Sequence, residues 1–420
     1  MMETKEQERK WHLIRNDNGE WISDENVVFL TAVEARSLQI KAKLAGKKLK
    51  IQHGYDGTLW CYKHEFKTVK NIIMEKKIKV GQFKKTEEQG NYERENIIQP
   101  LKKRVPYAPS GRPRNIDLPN YISFTIIDDS KKLLLYIEKQ AVCNNMQTDN
   151  AAFEGWAVCL KAWLADRINY VELKWDKPSF NKEKGNSILH YHRFLYRVLR
   201  FSEQYFWFSI NEENKEEITQ FEKEFVNLRN NSYTKEPDLK LGHNGKISET
   251  VVEFMFATVL KSSIMTKFDL TDVGRQFPVG VQKNEKPFFT GGLSAIDLWG
   301  TKGNKLTIIE LKYNGSDSNN IKVGIISELF LYSNIMVDIV KGKILPPSSL
   351  SKVNAEQSFY SKCKKYTQIH AEMLSDKYHP LVENDKVFEI LNDRTQRESD
   401  IPVIFKKTKY SFDLKASFID

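Results

Sequence analysis

The sequence lacks any apolar run long enough to span a bilayer, and its mean hydropathy is −0.53. No apolar stretch follows the charged first residues MMETKEQERK, so we expect no secretory signal. The 420 residues include only four cysteines, and their irregular spacing does not indicate a disulfide framework. We therefore predict a cytoplasmic protein with reduced thiols and no membrane partner.

The chain has enough apolar residues to build cores. Hydrophobic residues make up 40% of it and aromatic residues 12%, which excludes a disordered chain. A length of 420 residues exceeds the size at which a single core usually divides, so two domains are expected. The polar, turn-rich segment 230–246 is the predicted boundary. It separates an N-terminal α+β domain (1–240) from a second domain (241–420).

The positive charge is unevenly distributed. The formal net charge is +10. Residues 1–120 hold 24 Lys and Arg against 16 Asp and Glu, which is +8, and the other 300 residues hold 41 against 39, which is +2. A basic N-terminal third is typical of a protein that binds nucleic acid, and equally of a solvated basic surface that aids solubility.

The most basic segment is LKKRVPYAPSGRPRN (101–115), which has three prolines, a glycine and no acidic residue. This composition predicts an extended loop or arm. Its basic side chains suit contacts with phosphates, although an exposed loop without a ligand fits the composition as well. The candidate nucleic-acid-binding residues are Lys102, Lys103, Arg104, Arg112 and Arg114.

The pattern changes after Ser248. An apolar helix is predicted over 248–265, with Ser248 as its N-cap and Glu249 in its first turn. A strand follows within 268–282, then a hairpin formed by SAIDLWG and LTIIELKY, and then an apolar helix over 323–340. The order helix, strand, strand, strand, helix predicts an α/β fold with a mixed sheet.

The hairpin brings three polar residues together. Side chains alternate between the two faces of a strand, so Glu310 and Lys312 share one face of TIIELK. Asp297 interrupts the apolar residues of the preceding strand, and a short turn pairs the two strands. We therefore expect Asp297 to lie near Glu310.

Two carboxylates on apolar strands repel each other unless a cation compensates them. Oxygen ligands of this kind suit Mg²⁺ or Mn²⁺, with water filling the remaining positions. Such an ion lowers the pKa of bound water and stabilises charge on a phosphoryl group. Lys312 would orient the water and offset the negative charge of the phosphate, so the predicted chemistry is phosphodiester hydrolysis.

The segment GGLSAIDLWGTKGNKLTIIELKYN resembles the core of the PD-(D/E)XK, or restriction-endonuclease-like, superfamily. The resemblance covers about residues 246–340 and includes the Ile-Asp-Leu and Ile-Glu-Leu-Lys motifs. It implies a restriction-endonuclease-like mixed sheet flanked by helices and an Mg²⁺-dependent endonuclease. The implied metal ligands are Asp297, Glu310 and the carbonyl group of Leu311, and Lys312 is catalytic.

Further positions follow from the same resemblance. The superfamily has an acidic residue on the helix before the sheet; here Glu249 and Glu253 lie on one helix face. Glu249 is preferred because that acid usually comes early in the helix. Gln276 lies on the intervening strand, where relatives often carry a polar residue. The Gln-Leu-x-x-Tyr pattern of many relatives is matched at Tyr332, whereas Glu328 replaces the glutamine.

The sequence thus predicts a divalent-metal-dependent nuclease that acts on DNA. Because the superfamily is rich in such enzymes, restriction or anti-phage defence is expected by analogy. Many relatives act as dimers, so a homodimer or a partner protein is compatible with this interpretation. Two alternatives remain: a non-catalytic nucleic-acid-binding or assembly protein that retains the fold, and an RNA-processing nuclease.

Two other patterns are interpreted as structural. Glu172-Leu-Lys174 is a second Glu-x-Lys strand, but the nearest upstream acid, Asp166, leaves too little chain for a partner strand. His190 and His192 lie two residues apart in a predicted helix, so they do not face each other.

Overall fold

The computed structural model describes most of the chain after Lys84. The described residues are 85–108, 114–146, 148–179, 185–231, 247–290, 294–314, 322–348, 359–394 and 401–411, with short pieces at 14–15, 21–22, 27–30, 49–53, 59–62, 64–67, 111 and 417–419. Two compact units divide the chain, Met1–Lys84 and Lys85–Asp420. Among the described helices, none has the length and apolar character needed to cross a membrane. All four cysteines are free, as the spacing predicted.

The first unit contains short antiparallel strands. Strand β1 pairs with β2, and the order of the other sheet is β3-β5-β4. These strands are β1 (Ile14–Arg15), β2 (Trp21–Ile22), β3 (Val27–Leu30), β4 (Gln52–His53) and β5 (Leu59–Tyr62). The stretch NIIMEKKIKVGQF (71–83) lies outside the described residues.

The second unit begins with helices and a four-stranded sheet of order β6-β7-β8-β9. Strands β6 and β7 form an antiparallel hairpin, and β7, β8 and β9 run parallel because helices connect them. The elements are α1 (Glu87–Glu93), a π-helical turn (Arg94–Ile98), α2 (Gln99–Arg104), β6 (Ile122–Ile127), β7 (Lys132–Ile137), α3 (Lys139–Val142), α4 (Phe153–Trp163), β8 (Tyr170–Trp175), α5 (Gly185–Gln204), β9 (Phe208–Ile210) and α6 (Glu212–Glu224).

A small sheet of order β13-β12-β10-β16 uses strands from distant parts of the chain. These are β10 (Leu228–Asn230), β12 (Val281–Lys283), β13 (Lys286–Phe289) and β16 (Ile344–Leu345). Two helices, α7 (Glu249–Ala257) and α8 (Lys261–Phe268), precede β11 (Asp272–Pro278). The predicted single helix is therefore two helices, separated at residues 258–260.

The largest sheet has six strands in the order β11-β14-β15-β17-β18-β19. The pairs β11–β14 and β14–β15 are antiparallel, β17 is parallel to β15, and the connection between β15 and β17 contains helix α9. The remaining elements are β14 (Ala295–Lys302), β15 (Lys305–Lys312), α9 (Gly324–Val340), β17 (Gln368–Ser375), α10 (Lys386–Asn392), β18 (Val403–Ser411) and β19 (Ser417–Ile419). The prediction of a mixed α/β fold is confirmed.

Both faces of this sheet are buried. Ile308 of β15 belongs to the large core of the unit, which includes α4, α5 and most of α9. Ile309 and Leu311 pack on the other face, against Val252 and Phe256 of α7. Because one face of β15 is covered by α9 and the other by α7, polar side chains on this strand lie within the protein.

The predicted boundary near residue 240 lies outside the described residues. The division at Lys84–Lys85 differs from it, because residues before and after residue 240 share one core within the second unit. Trp156 and Phe201, for example, belong to the same buried cluster as Ile308 and Phe330. Shared burial of this kind makes the residues from 85 onward one compact unit.

Candidate active site

The β14–β15 hairpin brings the three predicted residues together. Strands β14 and β15 are antiparallel, and Leu298 lies opposite Ile309. Oδ2 of Asp297 accepts a hydrogen bond from the backbone N–H of Leu311 at 2.8 Å. Nζ of Lys312 donates to Oε1 of Glu310 at 2.7 Å. Asp297, Glu310 and Lys312 therefore converge at one end of the hairpin.

Burial changes the protonation behaviour of these groups. Glu310 is only 2% exposed. Burial and then the charge of Asp297 raise the pKa of Glu310 well above its usual range. Burial likewise raises the pKa of Asp297, although the nearby Lys312 opposes the rise. For Lys312, burial favours the neutral form, but the surrounding carboxylates outweigh it and raise its pKa.

Helix α9 contributes an acid that the sequence analysis treated only as a departure from a motif. Glu328 is 1% exposed, and its Oε2 lies 3.2 Å from Nζ of Lys312. The hydroxyl group of Tyr332, one turn further along, donates to Oε1 of Glu328 at 3.2 Å. The spacing of four residues between Glu328 and Tyr332 was the available sequence signal, since it places both on one helix face.

The two acids of α7 differ in their surroundings. Oε2 of Glu249 accepts a hydrogen bond from the N–H of Tyr313 at 3.1 Å, and its Oε1 lies 3.6 Å from Nζ of Lys312. Glu253 is buried and lies 2.7 Å from Nε of Arg275. Glu249, the preferred residue of the two, is therefore the one that approaches the lysine.

Gln276 lies opposite Asp297, where the pairing of β11 with β14 is interrupted. Its φ of 53° is in the left-handed region, which costs a residue other than glycine on the order of 1–3 kcal/mol. Its Nε2 donates to Oε1 of Glu253 at 2.8 Å. The strained backbone turns this polar side chain towards the acids of α7.

A pocket of about 410 Å³ lies in front of these groups. Its lining comes from α7, β11, β14, β15 and α9, and also from the loop after α3 and from α5. The pocket is lined by Asn145, Met146, Leu189, His190, Arg193, Glu249, Gln276, Thr290, Ser294, Ala295, Asp297, Glu310, Lys312, Glu328 and Tyr332. Residues far apart in sequence thus enclose the site.

The acidic residues of the pocket are candidate ligands for a divalent cation. In the part of the chain that the structure describes, no three His, Cys, Asp or Glu side chains form a metal-ligand cluster. Mg²⁺, however, needs only one or two protein carboxylates, with water completing the octahedron. Oε2 of Glu310 is buried and no protein group donates a hydrogen bond to it. A carboxylate oxygen in that situation, with Asp297 nearby, fits a hard divalent cation.

The basic segment begins as a helix, whereas its other described residues, 105–108, 111 and 114–115, lie outside helices and strands as predicted. Residues 99–104 form α2, with Lys102 and Lys103 exposed in its last turn. The prediction is wrong for these residues because Leu101 is anchored in the core, which holds the segment in a helix. Arg112 lies outside the described residues.

Acids from elsewhere in the chain neutralise two of the predicted phosphate contacts. Both terminal nitrogens of Arg104 donate to the carboxylate of Asp166, at 2.5 and 2.8 Å. Arg114 forms an ion pair with Glu383. Both acidic partners lie outside the segment, so its own sequence does not reveal them. Lys102 and Lys103 are therefore the described cations of the segment that are most accessible to a ligand.

The chain was also compared with protein-family models, with curated proteins and with solved structures. None of the three comparisons gives a match. The residues and their arrangement are therefore the basis on which a function is assigned.

Proposed function

We propose that this chain is a divalent-metal-dependent nuclease that hydrolyses phosphodiester bonds, with DNA as its substrate. The observation that carries the proposal is the convergence of Asp297, Glu310 and Lys312 at the end of one hairpin, beside an open pocket. A solvated surface pair of Glu and Lys would contribute little and would not be buried. Here Glu310 is 2% exposed, and its acidic neighbours disfavour its charge.

The order of elements around the site supports the resemblance to the PD-(D/E)XK superfamily. Helix α7 carries Glu249 and precedes three antiparallel strands, β11, β14 and β15. Helix α9 then leads to β17, which is parallel to β15. In this arrangement the acid of the helix, the aspartate of β14 and the Glu-x-Lys motif of β15 belong to one site.

Each side chain has a role that follows from its position. Asp297 and Glu310 would hold the divalent ion, with the carbonyl group of Leu311 as an additional oxygen ligand. The chemistry that such an ion supplies is stabilisation of phosphoryl charge and a lower pKa for bound water. Lys312 remains charged among carboxylates, so its ammonium group orients the attacking water and binds a phosphate oxygen.

Glu249 and Tyr332 complete the proposed site. Glu249 lies 3.6 Å from the lysine, so it positions the ammonium group, and it would assist a bound ion through water. Tyr332 holds Glu328 by a hydrogen bond, and Glu328 in turn contacts Lys312. The lysine is thereby fixed by three carboxylates on three different elements.

The proposal is tested by cleavage of four substrates: supercoiled plasmid, linear duplex DNA, single-stranded DNA and RNA, each with Mg²⁺, Mn²⁺ or EDTA. We expect Asp297→Ala and Lys312→Ala to reduce cleavage at least about 100-fold, and EDTA to abolish it. Lys174→Ala is a matched control, because Lys174 belongs to the other Glu-x-Lys strand and pairs with Glu213 at the surface. Cleavage that survives both substitutions would refute the assignment.

The outcomes also separate the two alternatives. A wild-type protein that binds DNA with a steep salt dependence but never cuts it is a non-catalytic binding protein. Cleavage of RNA alone identifies an RNA-processing nuclease. A role in restriction or anti-phage defence is tested by phage plating on cells that express the wild type or Lys312→Ala; protection that does not depend on Lys312 argues against a nuclease mechanism.

A further inference from the structure

The lining of the pocket includes a buried arginine from α5. Arg193 of α5 is 5% exposed and lines the pocket. Its terminal nitrogen donates to Nδ1 of His190, one turn earlier on the helix. Among the described residues, no carboxylate forms an ion pair with Arg193. A buried guanidinium group without a countercharge is costly, so its retention calls for an explanation.

Two other buried arginines of the same helix have ordinary partners. Nε of Arg197 donates to Oε1 of Glu154 at 2.6 Å. Arg200 lies 2.7 Å from Oδ2 of Asp338. The guanidinium groups of Arg197 and Arg200 are thus paired with carboxylates, and Arg193 is the one of these three arginines that lines the pocket.

His190 orients the guanidinium group. Because arginine only donates hydrogen bonds, Nδ1 of His190 must accept, and the proton of the neutral ring lies on Nε2. Burial and then the charge of Arg193 lower the pKa of His190 to about 4, so the ring stays neutral at pH 7. A neutral histidine holds Arg193 in place and adds no countercharge. Burial and then the charge of Arg197 lower the pKa of Arg193 to about 10, and the more distant Glu328 offsets this only in part.

We propose that Arg193 binds a phosphate group of the nucleic acid in the pocket that it lines together with Lys312. This inference rests on the proposed nuclease function and extends the site to α5. A guanidinium group suits phosphate because it offers two parallel hydrogen bonds together with its charge. A pocket of about 410 Å³ lies within the usual range for small ligands, so it has room for a phosphate and its sugar.

The first test measures stability without nucleic acid. Arg193→Met removes a buried charge that has no carboxylate partner, so we expect the melting temperature to stay the same or rise. Arg197→Met is the matched control, because it leaves Glu154 buried and unpaired; it should lower the melting temperature by about 5 °C or more. A comparable loss in Arg193→Met would show a structural role and would overturn the proposal.

The second test measures binding of a fluorescent single-stranded 12-mer by anisotropy, with Ca²⁺ replacing Mg²⁺ so that binding is observed without cleavage. We expect Arg193→Met to weaken binding at least about tenfold, and Arg193→Lys to bind with intermediate affinity. The slope of log K against log salt should decrease by about 0.7 for the loss of one single-strand phosphate contact.

The possible results separate this inference from the nuclease proposal. Cleavage by the wild type together with equal binding by Arg193→Met overturns the inference alone. Binding that depends on Arg193 without any cleavage supports the inference and argues against the nuclease. A wild-type protein that neither binds the 12-mer nor cuts any substrate contradicts both.

Discussion

The ammonium group of Lys312 lies 3.2 Å from Oε2 of Glu328, although the two residues belong to different elements, β15 and α9. Glu310 approaches the same nitrogen at 2.7 Å and Glu249 at 3.6 Å. The ammonium group of Lys312 thus contacts three carboxylates, and Asp297 adds a fourth acidic side chain to the pocket. Four carboxylates with one ammonium group destabilise the protein when no divalent ion is bound. Such an excess of negative charge is expected where a site binds a divalent ion at the expense of stability.

We expect Glu310→Gln to stabilise the protein while it abolishes cleavage. The amide keeps the shape and still accepts a hydrogen bond from Lys312, but it removes one of the crowded charges. The free energy of unfolding in urea at pH 8, without divalent ions, should rise by about 1 kcal/mol. Glu154→Gln is the control, because it breaks the buried pair with Arg197 and should cost about 3 kcal/mol. A similar loss of unfolding free energy in both variants would mean that Glu310 stabilises the fold through its ion pair with Lys312.

Gly155→Ala should disturb the site through helix packing. A Cβ atom at Gly155 would lie 2.5 Å from the carbonyl oxygen of Val323, at the start of α9. Since α9 carries Glu328, its displacement should cost about 1–3 kcal/mol of stability and reduce cleavage. Gly90→Ala is the matched control in α1, where nothing lies within 4 Å; it should stabilise by about 0.5–1 kcal/mol. Equal thermal shifts in the two variants would exclude the steric explanation.

Glu372 of β17 should make stability depend on pH. It is 4% exposed, and burial raises its pKa from 4.5 to about 7. A raised pKa in the folded state means that its contribution is complete below pH 4.5 and is lost as the pH rises through 7. As the pH rises from 5 to 8, the free energy of unfolding of Glu372→Gln should therefore increase relative to that of the wild type by on the order of 2–3 kcal/mol. Urea unfolding at several pH values checks this; a constant difference between the two proteins would contradict it.

Lys102 and Lys103 should contribute to nucleic-acid binding through charge alone. Both are exposed on α2, whereas Arg104 is held by Asp166. Replacing both lysines by alanine should reduce the salt slope for duplex DNA by up to about 1.8, with similar loss for all sequences. Arg104→Ala should change the slope less. An unchanged slope in the double variant would remove this segment from the binding surface.

Local pattern predicted most elements around the site. Alternation of apolar residues defined β14 and β15, and Gly303, with φ of 59°, closes the turn between them. Ser248 caps α7 by accepting a hydrogen bond from Val251 N–H at 3.3 Å. The break after Ala257 was missed because the apolar periodicity continues across it, while the backbone at Thr258 leaves the helical region.

The sequence by itself determined that Asp297, Glu310 and Lys312 lie together, because a hairpin with a short turn fixes register and alternation fixes the face of each side chain. Only the tertiary structure decided which distant groups meet them. Glu328 reaches Lys312 because α9 packs on the sheet, and Arg193 faces the site because α5 shares the same core. Such contacts depend on how helices and sheets pack together, so the local periodicity of the sequence does not predict them.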